Sequence, residues 1–416
     1  MKNYQKSRKN SAVITGFLFV TLLILVSSCR KEEYEPIQGN YLVSYRLNHS
    51  FTLETVQSIL SLAAFEYPEA ITLVENADYG VRIYIISYQT YYLDSLINAS
   101  GLVCMPDADE EFPVISFQNG TNTDDDNAPT KNPFNESYIL LEMMASNGYI
   151  VLIPDYIGFG ASEDLIHPYY HRSSTNNAVI DMIHAFNEMK LRDDILATST
   201  AATYLMGYSQ GGWATLSALD EIENGTGTEI DVAAASCGAG AYDLTAMSNY
   251  ILNLETFPGP HYLPYFIYSQ QELGLIQEPL STFFKSPYAE RIPQLFDGTN
   301  SNNEVNAQLT NTIGDLLTDN LINNFQTSQD YEGLRLRLEE NSIDAWNTNA
   351  ELHLYHGTDD LNVPAEQSSL IYNAFINAGA DPDKVLLFEL TGKDHEGGVL
   401  PWGISTINWF NTLEGK

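Results

Sequence analysis

The sequence predicts an α/β fold, a mostly parallel central sheet flanked by helices on both faces. Two observations predict it. From Pro113 onward, short apolar runs alternate with stretches of helical spacing, the pattern of strands joined by crossover helices. Each cluster of chemically capable side chains then falls just after such a run, at the strand ends where open parallel sheets bind ligands.

In chain order, residues 1–29 read as an export signal. Lys2, Lys6, Arg8 and Lys9 form a basic start without acids, and Ala12 to Val26 is apolar but too short for a membrane span. The segment ends in Val26-Ser27-Ser28-Cys29, which resembles the lipobox of bacterial lipoproteins. That resemblance implies cleavage before Cys29 and a lipid on its sulfur; the alternative is a plain secretory signal with an incidental cysteine. Arg30-Lys31-Glu32-Glu33 resembles the surface-export tag of some Gram-negative lipoproteins. The expected location is therefore the bacterial cell envelope, by a lipid anchor, with the outer-membrane surface as the candidate face.

Composition fits an exported enzyme. With 416 residues and 44% hydrophobic content, the chain can bury a sizeable core. Its net charge is −35, and removing the four cations of the signal leaves −39. So acidic a surface repels nucleic acid and anionic headgroups, which excludes both as expected partners. Beyond Cys29 only Cys104 and Cys237 remain, both in apolar strand-like runs, which favours buried free thiols over a bridge.

Residues 30–80 read as a tail and a short helical extension, with helical spacing from Thr52 to Ala64. The runs 81–88 and 99–105 start the sheet as an antiparallel pair. Strands are then expected at 113–117, 149–154, 201–206, 232–236, 351–355 and 385–389. Helices are expected at 135–147, 177–188, from the turn at Ser209 to about Glu223, at 364–378 and at 401–410.

The run Ala201 to Met206 leads into Gly207-Tyr208-Ser209-Gln210-Gly211, a G-x-S-x-G pattern between a strand and a helix. Small neighbours let strand and helix nearly touch, so the turn lifts Oγ of Ser209 above the sheet. The N–H of Gln210 opens the helix and points at the same space, a ready oxyanion donor. An ordinary Gly-rich turn is the bland alternative.

The run 351–355 leads into His356-Gly357-Thr358-Asp359-Asp360-Leu361-Asn362-Val363-Pro364. With the G-x-S-x-G turn, this resembles the α/β-hydrolase superfamily, whose acid loop commonly reads H-G-x-x-D-x-x-V-P. The resemblance covers about residues 81–244 and 346–416. It implies a Ser, acid, His order along the chain, with Ser209 as nucleophile and Asp360 as the acid beside its neighbour Asp359; both carboxylates also suit helix capping. Of eight histidines only His395 follows the last strand, so it becomes the general base. The second oxyanion donor is expected after the strand 113–117, in Gln118-Asn119-Gly120-Thr121-Asn122. Relatives often have His-Gly there, and the role carries to the backbone of Thr121. The runs Pro154 to Ser162 and His167-Pro168-Tyr169 resemble secretory lipases and esterases. They offer Tyr156 and His167 as candidate pocket residues, with Tyr208 of the elbow.

The insertion at 245–345 is expected to be a helical lid before the acid-bearing strand, with helical spacing at 305–321 and 334–343. Its aromatics, among them Phe257, Tyr262, Tyr265, Phe266, Phe283 and Phe284, suit an apolar or aryl ester or the lid's own core. The acidic run Asp124-Asp125-Asp126 lacks the Gly and Glu of an EF-hand loop and reads as a solvated turn. His167 and His171 have an HxxxH spacing, but Pro168 argues against a metal. No cofactor is expected: there is no metal cluster, P-loop or strand-linked G-x-G-x-x-G. The expected function is a serine hydrolase of carboxylic esters, with a small-molecule ester as partner. Two alternatives stay open. A prolyl-oligopeptidase-like peptidase would need a β-propeller that some fifty residues cannot supply, and a non-catalytic binding protein would not need the serine, acid and histidine.

Overall fold

The structure, a computed structural model, describes residues 41–133, 135–225 and 229–416. The stretch 1–29 read as an export signal, with Cys29, lies outside the described residues. Nine strands form one sheet: β1 (Leu42–Phe51), β2 (Val81–Tyr92), β3 (Ser95–Pro106), β4 (Glu111–Gln118), β5 (Ile150–Pro154), β6 (Thr198–Tyr208), β7 (Val232–Gly238), β8 (Glu351–Gly357) and β9 (Val385–Leu390). Their spatial order is β1-β2-β3-β5-β4-β6-β7-β8-β9. The pairs β1–β2, β2–β3 and β3–β5 are antiparallel, and every pair from β5 to β9 is parallel. The eight expected strands are all present.

β1 was not expected, and its sequence explains why. In Leu42-Val43-Ser44-Tyr45-Arg46-Leu47 only Leu42 is buried, and Val43 and Leu47 face solvent. An edge strand with one buried side chain shows no period-2 signal. Its ladder to β2 holds it, and the Glu188 carboxylate accepts the N–H groups of Tyr41 and Leu42 at 2.9 Å. The region read as a tail therefore contributes a strand to the sheet.

Alternate side chains of the central strands enter two core layers, as a period of two requires. Leu205, Cys237, Leu352 and Leu354 pack with the helices Arg172–Met189, Gln210–Asn224 and Glu366–Asn377. Tyr204, Met206, Ala234 and Tyr355 pack on the other face with Leu53–Glu66, Glu136–Met143 and Val399–Leu413. The helix expected from Asn177 begins five residues earlier. Its first turn, Arg172-Ser173-Ser174-Thr175-Asn176, has no apolar spacing, and Nδ1 of His171 caps it by accepting from Ser174 N–H. Cys104 and Cys237 are buried and unbridged.

Between β7 and β8 the insertion is helical. The segment expected as one helix over 305–321 is three short ones, Asn302–Gln308, Ile313–Leu316 and Asp319–Asn324. Thr318 caps the last by accepting from Leu321 N–H. Phe257, Phe283 and Phe284 are buried in the same core cluster as the sheet, with Phe283 against Phe284 and Tyr331. Among the described residues no helix is long and apolar enough to cross a membrane.

Candidate active site

Parallel strands end in register, so the loops after β4, β6, β8 and β9 open on one rim of the sheet. Gln118 pairs with Gly207, Tyr208 with Gly238, and Gly357 with Leu390. Ser209 follows β6 with φ +61° and ψ −123°, a conformation L side chains rarely adopt. Ser209 N–H donates to Gly238 O at 2.8 Å, and Ser209 O accepts from Gly212 N–H at 2.9 Å. Glycine is required on both sides. A Cβ on Gly207 would collide with the carbonyl of Gly211, and one on Gly211 with the carbonyl of Gln118. The elbow thus presses directly against the end of β4.

Nε2 of His395 lies 2.8 Å from Oγ of Ser209, and Nδ1 lies 2.6 Å from Oδ2 of Asp360. A carboxylate only accepts, so Nδ1 carries the hydrogen and Nε2 is free to take one from the serine. Asp360 Oδ1 accepts from the N–H groups of Asn362 and Val363, both at 2.9 Å. Nε2 of His356 is 2.8 Å from Val363 O and 3.4 Å from Asp360 Oδ2, and its Nδ1 is 2.7 Å from Ser368 Oγ. Burial pushes the Asp360 carboxyl upward. Hydrogen bonds from His356 and His395, the charge of His395 and the Val363 N–H outweigh it, and the group falls from 3.8 to about 2. Asp359 is exposed and accepts from Thr358 Oγ1 at 3.1 Å, on the outside of the loop. The acid motif assigns His356 no role; its place in the strand two residues beyond buried Leu354 is the available signal.

Gln210 is the first residue of its helix, so its N–H has no intrahelical acceptor. The loop after β4 passes beside Ser209: a Cβ on Gly120 would lie 4.0 Å from Ser209 Cβ. Thr121 follows, with Oγ1 2.8 Å from the Tyr169 hydroxyl.

A cleft with about 500 Å³ of empty space opens at Ser209 and is walled by Tyr169, Leu244, Met247, Ile251, Phe266 and Leu338. None of the three expected pocket residues lines it. Tyr208 turns its hydroxyl to His395 O at 2.8 Å and packs against Trp402, so it supports the histidine loop. Tyr156 is buried, with φ +70°, and donates to Asn119 O at 3.3 Å. His167 is buried behind the elbow. Its Nδ1 donates to Ile157 O at 2.7 Å, so Nε2 accepts from Gln210 Nε2 at 2.9 Å, and burial lowers its pKa to about 4. Motif position placed these side chains near the rim but not their direction. Of the lining residues that sequence reasoning missed, Tyr169 sat in a quoted run, whereas Met247 and Leu338 belong to helices whose apolar faces look like any core.

The acidic run after β4 is no free turn. Asp124 bridges Gly298 and Thr299, and Asp125 N–H donates to Gly298 O at 2.8 Å. Burial first, then Glu163 and Asp124 nearby, push the Asp125 carboxyl up to about 6. Among the described residues no group of three or more His, Cys, Asp or Glu is arranged to hold a metal.

Residues 134–386 match the model of the secretory lipase family, more than half of the chain. No curated protein matches the sequence. Among solved structures, the chain is similar to a presumed hydrolase of Legionella pneumophila, with TM-score 0.78 and 26% identity, over 89% of this chain and 98% of that one. It is similar in fold to the rice cell wall degrading esterase LipA of Xanthomonas oryzae, with TM-score 0.77 and 22% identity, over 91% and 98%. Lipase A of Candida antarctica shares the fold at TM-score 0.60 and 14% identity, over 85% and 77%. A mostly parallel sheet of this topology, with a serine elbow at its rim, is the α/β-hydrolase fold. The chain belongs to the secretory lipase family and is a carboxylic ester hydrolase.

Proposed function

We propose that the protein cleaves carboxylic esters through an acyl-enzyme, with Ser209, His395 and Asp360 as the catalytic triad. The observation that carries this reading is the unbroken relay of hydrogen bonds, 2.8 Å from serine to imidazole and 2.6 Å from imidazole to carboxylate. Oγ of Ser209 attacks the ester carbonyl carbon as its proton passes to Nε2 of His395. The alcohol leaves with that proton, and the acyl group stays on Oγ. Water then attacks the ester to Ser209, gives a proton to Nε2, and the carboxylic acid departs as Oγ regains a proton. Asp360 orients the imidazole and stabilises its charged form. The N–H groups of Gln210 and Thr121 stabilise the oxyanion, each such donor contributing roughly 3 kcal/mol to the transition state.

The apolar cleft takes the acyl chain, and the insertion at 245–345 forms its cap over a core made of 81–244 and 346–416. Its lining carries no charged side chain, which supports an uncharged acyl group. Membership of a secretory family is in keeping with export, and the lipobox-like Val26-Ser27-Ser28-Cys29 supports a lipid on Cys29 as a membrane attachment.

The test is covalent labelling with a fluorophosphonate together with turnover of p-nitrophenyl esters of graded acyl length. Ser209→Ala is expected to lose both label and turnover, and a label that persists moves the nucleophile elsewhere. Equal turnover of acetyl and long-chain esters sinks the assignment of the cleft to the acyl chain.

A further inference from the structure

The loop after β4 is held by two different bodies. Up to Asn119 it is tied to the core. Thr215 Oγ1 donates to Gln118 Oε1 at 2.7 Å, Asn119 Nδ2 donates to Pro154 O at 2.5 Å, and the Tyr156 hydroxyl donates to Asn119 O. From Thr121 to Asp125 its main-chain and Thr123 partners outside the loop belong to the insertion, before Thr130 returns it to the core through Asp155. Asn302 Nδ2 donates to Thr121 O at 2.8 Å, the Tyr265 hydroxyl to Asn122 O at 3.1 Å, and Asp125 N–H to Gly298 O at 2.8 Å. Thr123 Oγ1 shares its hydrogen between Asn300 O at 2.7 Å and Asn302 Oδ1 at 2.9 Å. Even the Thr121 side chain is met by a residue that the insertion fixes. Its partner Tyr169 donates its N–H to Ser269 Oγ at 2.9 Å and accepts at its carbonyl from Gln270 Nε2 at 3.3 Å.

Between the two anchorages stands Gly120. The peptide that bears the Thr121 N–H is the one joining Gly120 to Thr121, and glycine leaves its orientation soft. A donor aimed at an oxyanion must be fixed before the reaction to be effective. The main-chain restraint on the far side of that peptide is the carbonyl of Thr121, held by Asn302. Asn302 is itself firmly mounted as the first residue of its helix. Ser301 and Glu304 form a capping box around that start, with Ser301 N–H donating to Glu304 Oε2 at 2.9 Å.

We infer that Asn302, in the insertion, is a positioning residue that sets the Thr121 N–H toward the oxyanion. The insertion thus completes the catalytic site as well as walling the cleft. This rests on Ser209 being the nucleophile. It also means that this edge of the insertion stays seated during turnover, because lifting it would release the carbonyls of both Thr121 and Asn122.

Asn302→Asp tests it. The carboxylate keeps an acceptor for Thr123 but cannot donate to Thr121 O, so the loop loses one bond and gains a repulsion. The expected result is a kcat lower by roughly 10- to 100-fold, as for a misplaced catalytic group, with KM within about twofold. Affinity for a boronic acid that mimics the tetrahedral intermediate falls by the same factor as kcat/KM, and the melting temperature is measured alongside. Asn302→Ser, whose hydroxyl is too short to reach, should behave alike and serves if the aspartate variant does not fold. A folded variant with near-normal kcat overturns the inference, as does a kcat loss with boronic-acid affinity unchanged. If Ser209→Ala still labels and turns over, the nucleophile assignment has failed instead, so the two failures are told apart.

Discussion

Asp360→Asn changes one oxygen to an amide and almost nothing in volume. In the native site Oδ1 accepts two backbone N–H groups at 2.9 Å while Oδ2 accepts Nδ1 of His395 at 2.6 Å. An amide has a single acceptor oxygen. Two donors claim it at 2.9 Å on the backbone side; on the other stand one short bond from His395 and a 3.4 Å contact from His356, whose Nε2–H is already given to Val363 O, so the NH2 turns toward His395. Nδ1 must then accept, Nε2 carries the hydrogen, and the imidazole 2.8 Å from Ser209 Oγ cannot take the serine proton. Loss of the proposed general base should lower kcat by about 10³- to 10⁴-fold, about 4–5.5 kcal/mol at 1.36 kcal/mol per tenfold. Asp360→Ala imposes no tautomer and should retain more activity than the asparagine variant. The assay is steady-state ester hydrolysis on protein whose melting curve shows it folded. Activity of Asp360→Asn within tenfold of wild type, or alanine worse than asparagine, refutes the tautomer reasoning. Stability changes separately. A carboxyl whose folded pKa is about 2 against 3.8 contributes about 2 kcal/mol above pH 4, lost as pH falls toward 2.

Two further outcomes follow from other groups. Glu142 is fully buried, neither carboxyl oxygen has a partner among the described residues, and burial pushes its pKa from 4.5 up to about 8. The native state keeps a proton the unfolded chain releases, so this group lowers stability as pH rises from 4.5 to 8 and no further above that. Glu142→Gln should match wild type near pH 4 and exceed it by about 3–5 kcal/mol at pH 9 in urea unfolding; equal curves at pH 9 would mean the carboxylate has found water or a cation. Cys29→Ser should abolish incorporation of labelled fatty acid and release the protein from the membrane fraction, and continued incorporation rules that cysteine out.

That Ser209, Asp360 and His395 would meet was legible because their positions are dictated by local chemistry: a glycine-flanked turn, a short acidic loop after a strand, a histidine after the last strand. Residues 186 apart in sequence then meet because parallel strands end together. The cleft was less legible. Tyr156, Tyr208 and His167 occupy motif positions, but the direction of each side chain depends on partners such as Asn119 O, His395 O and Gln210 that no local pattern names. The walls contributed by Met247 and Leu338 come from amphipathic helices, and spacing alone cannot say whether such a face meets core or substrate. β1 escaped notice for the opposite reason, since its hydrogen bonds rather than its side chains hold it in place.

The two thiols carry a consequence for the way such a chain matures. Cys104 and Cys237 sit on strands separated by three others, about 19 Å apart at the spacing of neighbouring strands, and they enter opposite core layers. Burial holds both far from thiolate character. In the finished fold an oxidant therefore cannot join Cys104 to Cys237, and a crosslink at either can form only before the layers close. Closure of the two layers over these sulfurs shields them from a wrong crosslink, and a thiol-reactive dye that stays colourless until the protein melts would report that closure directly.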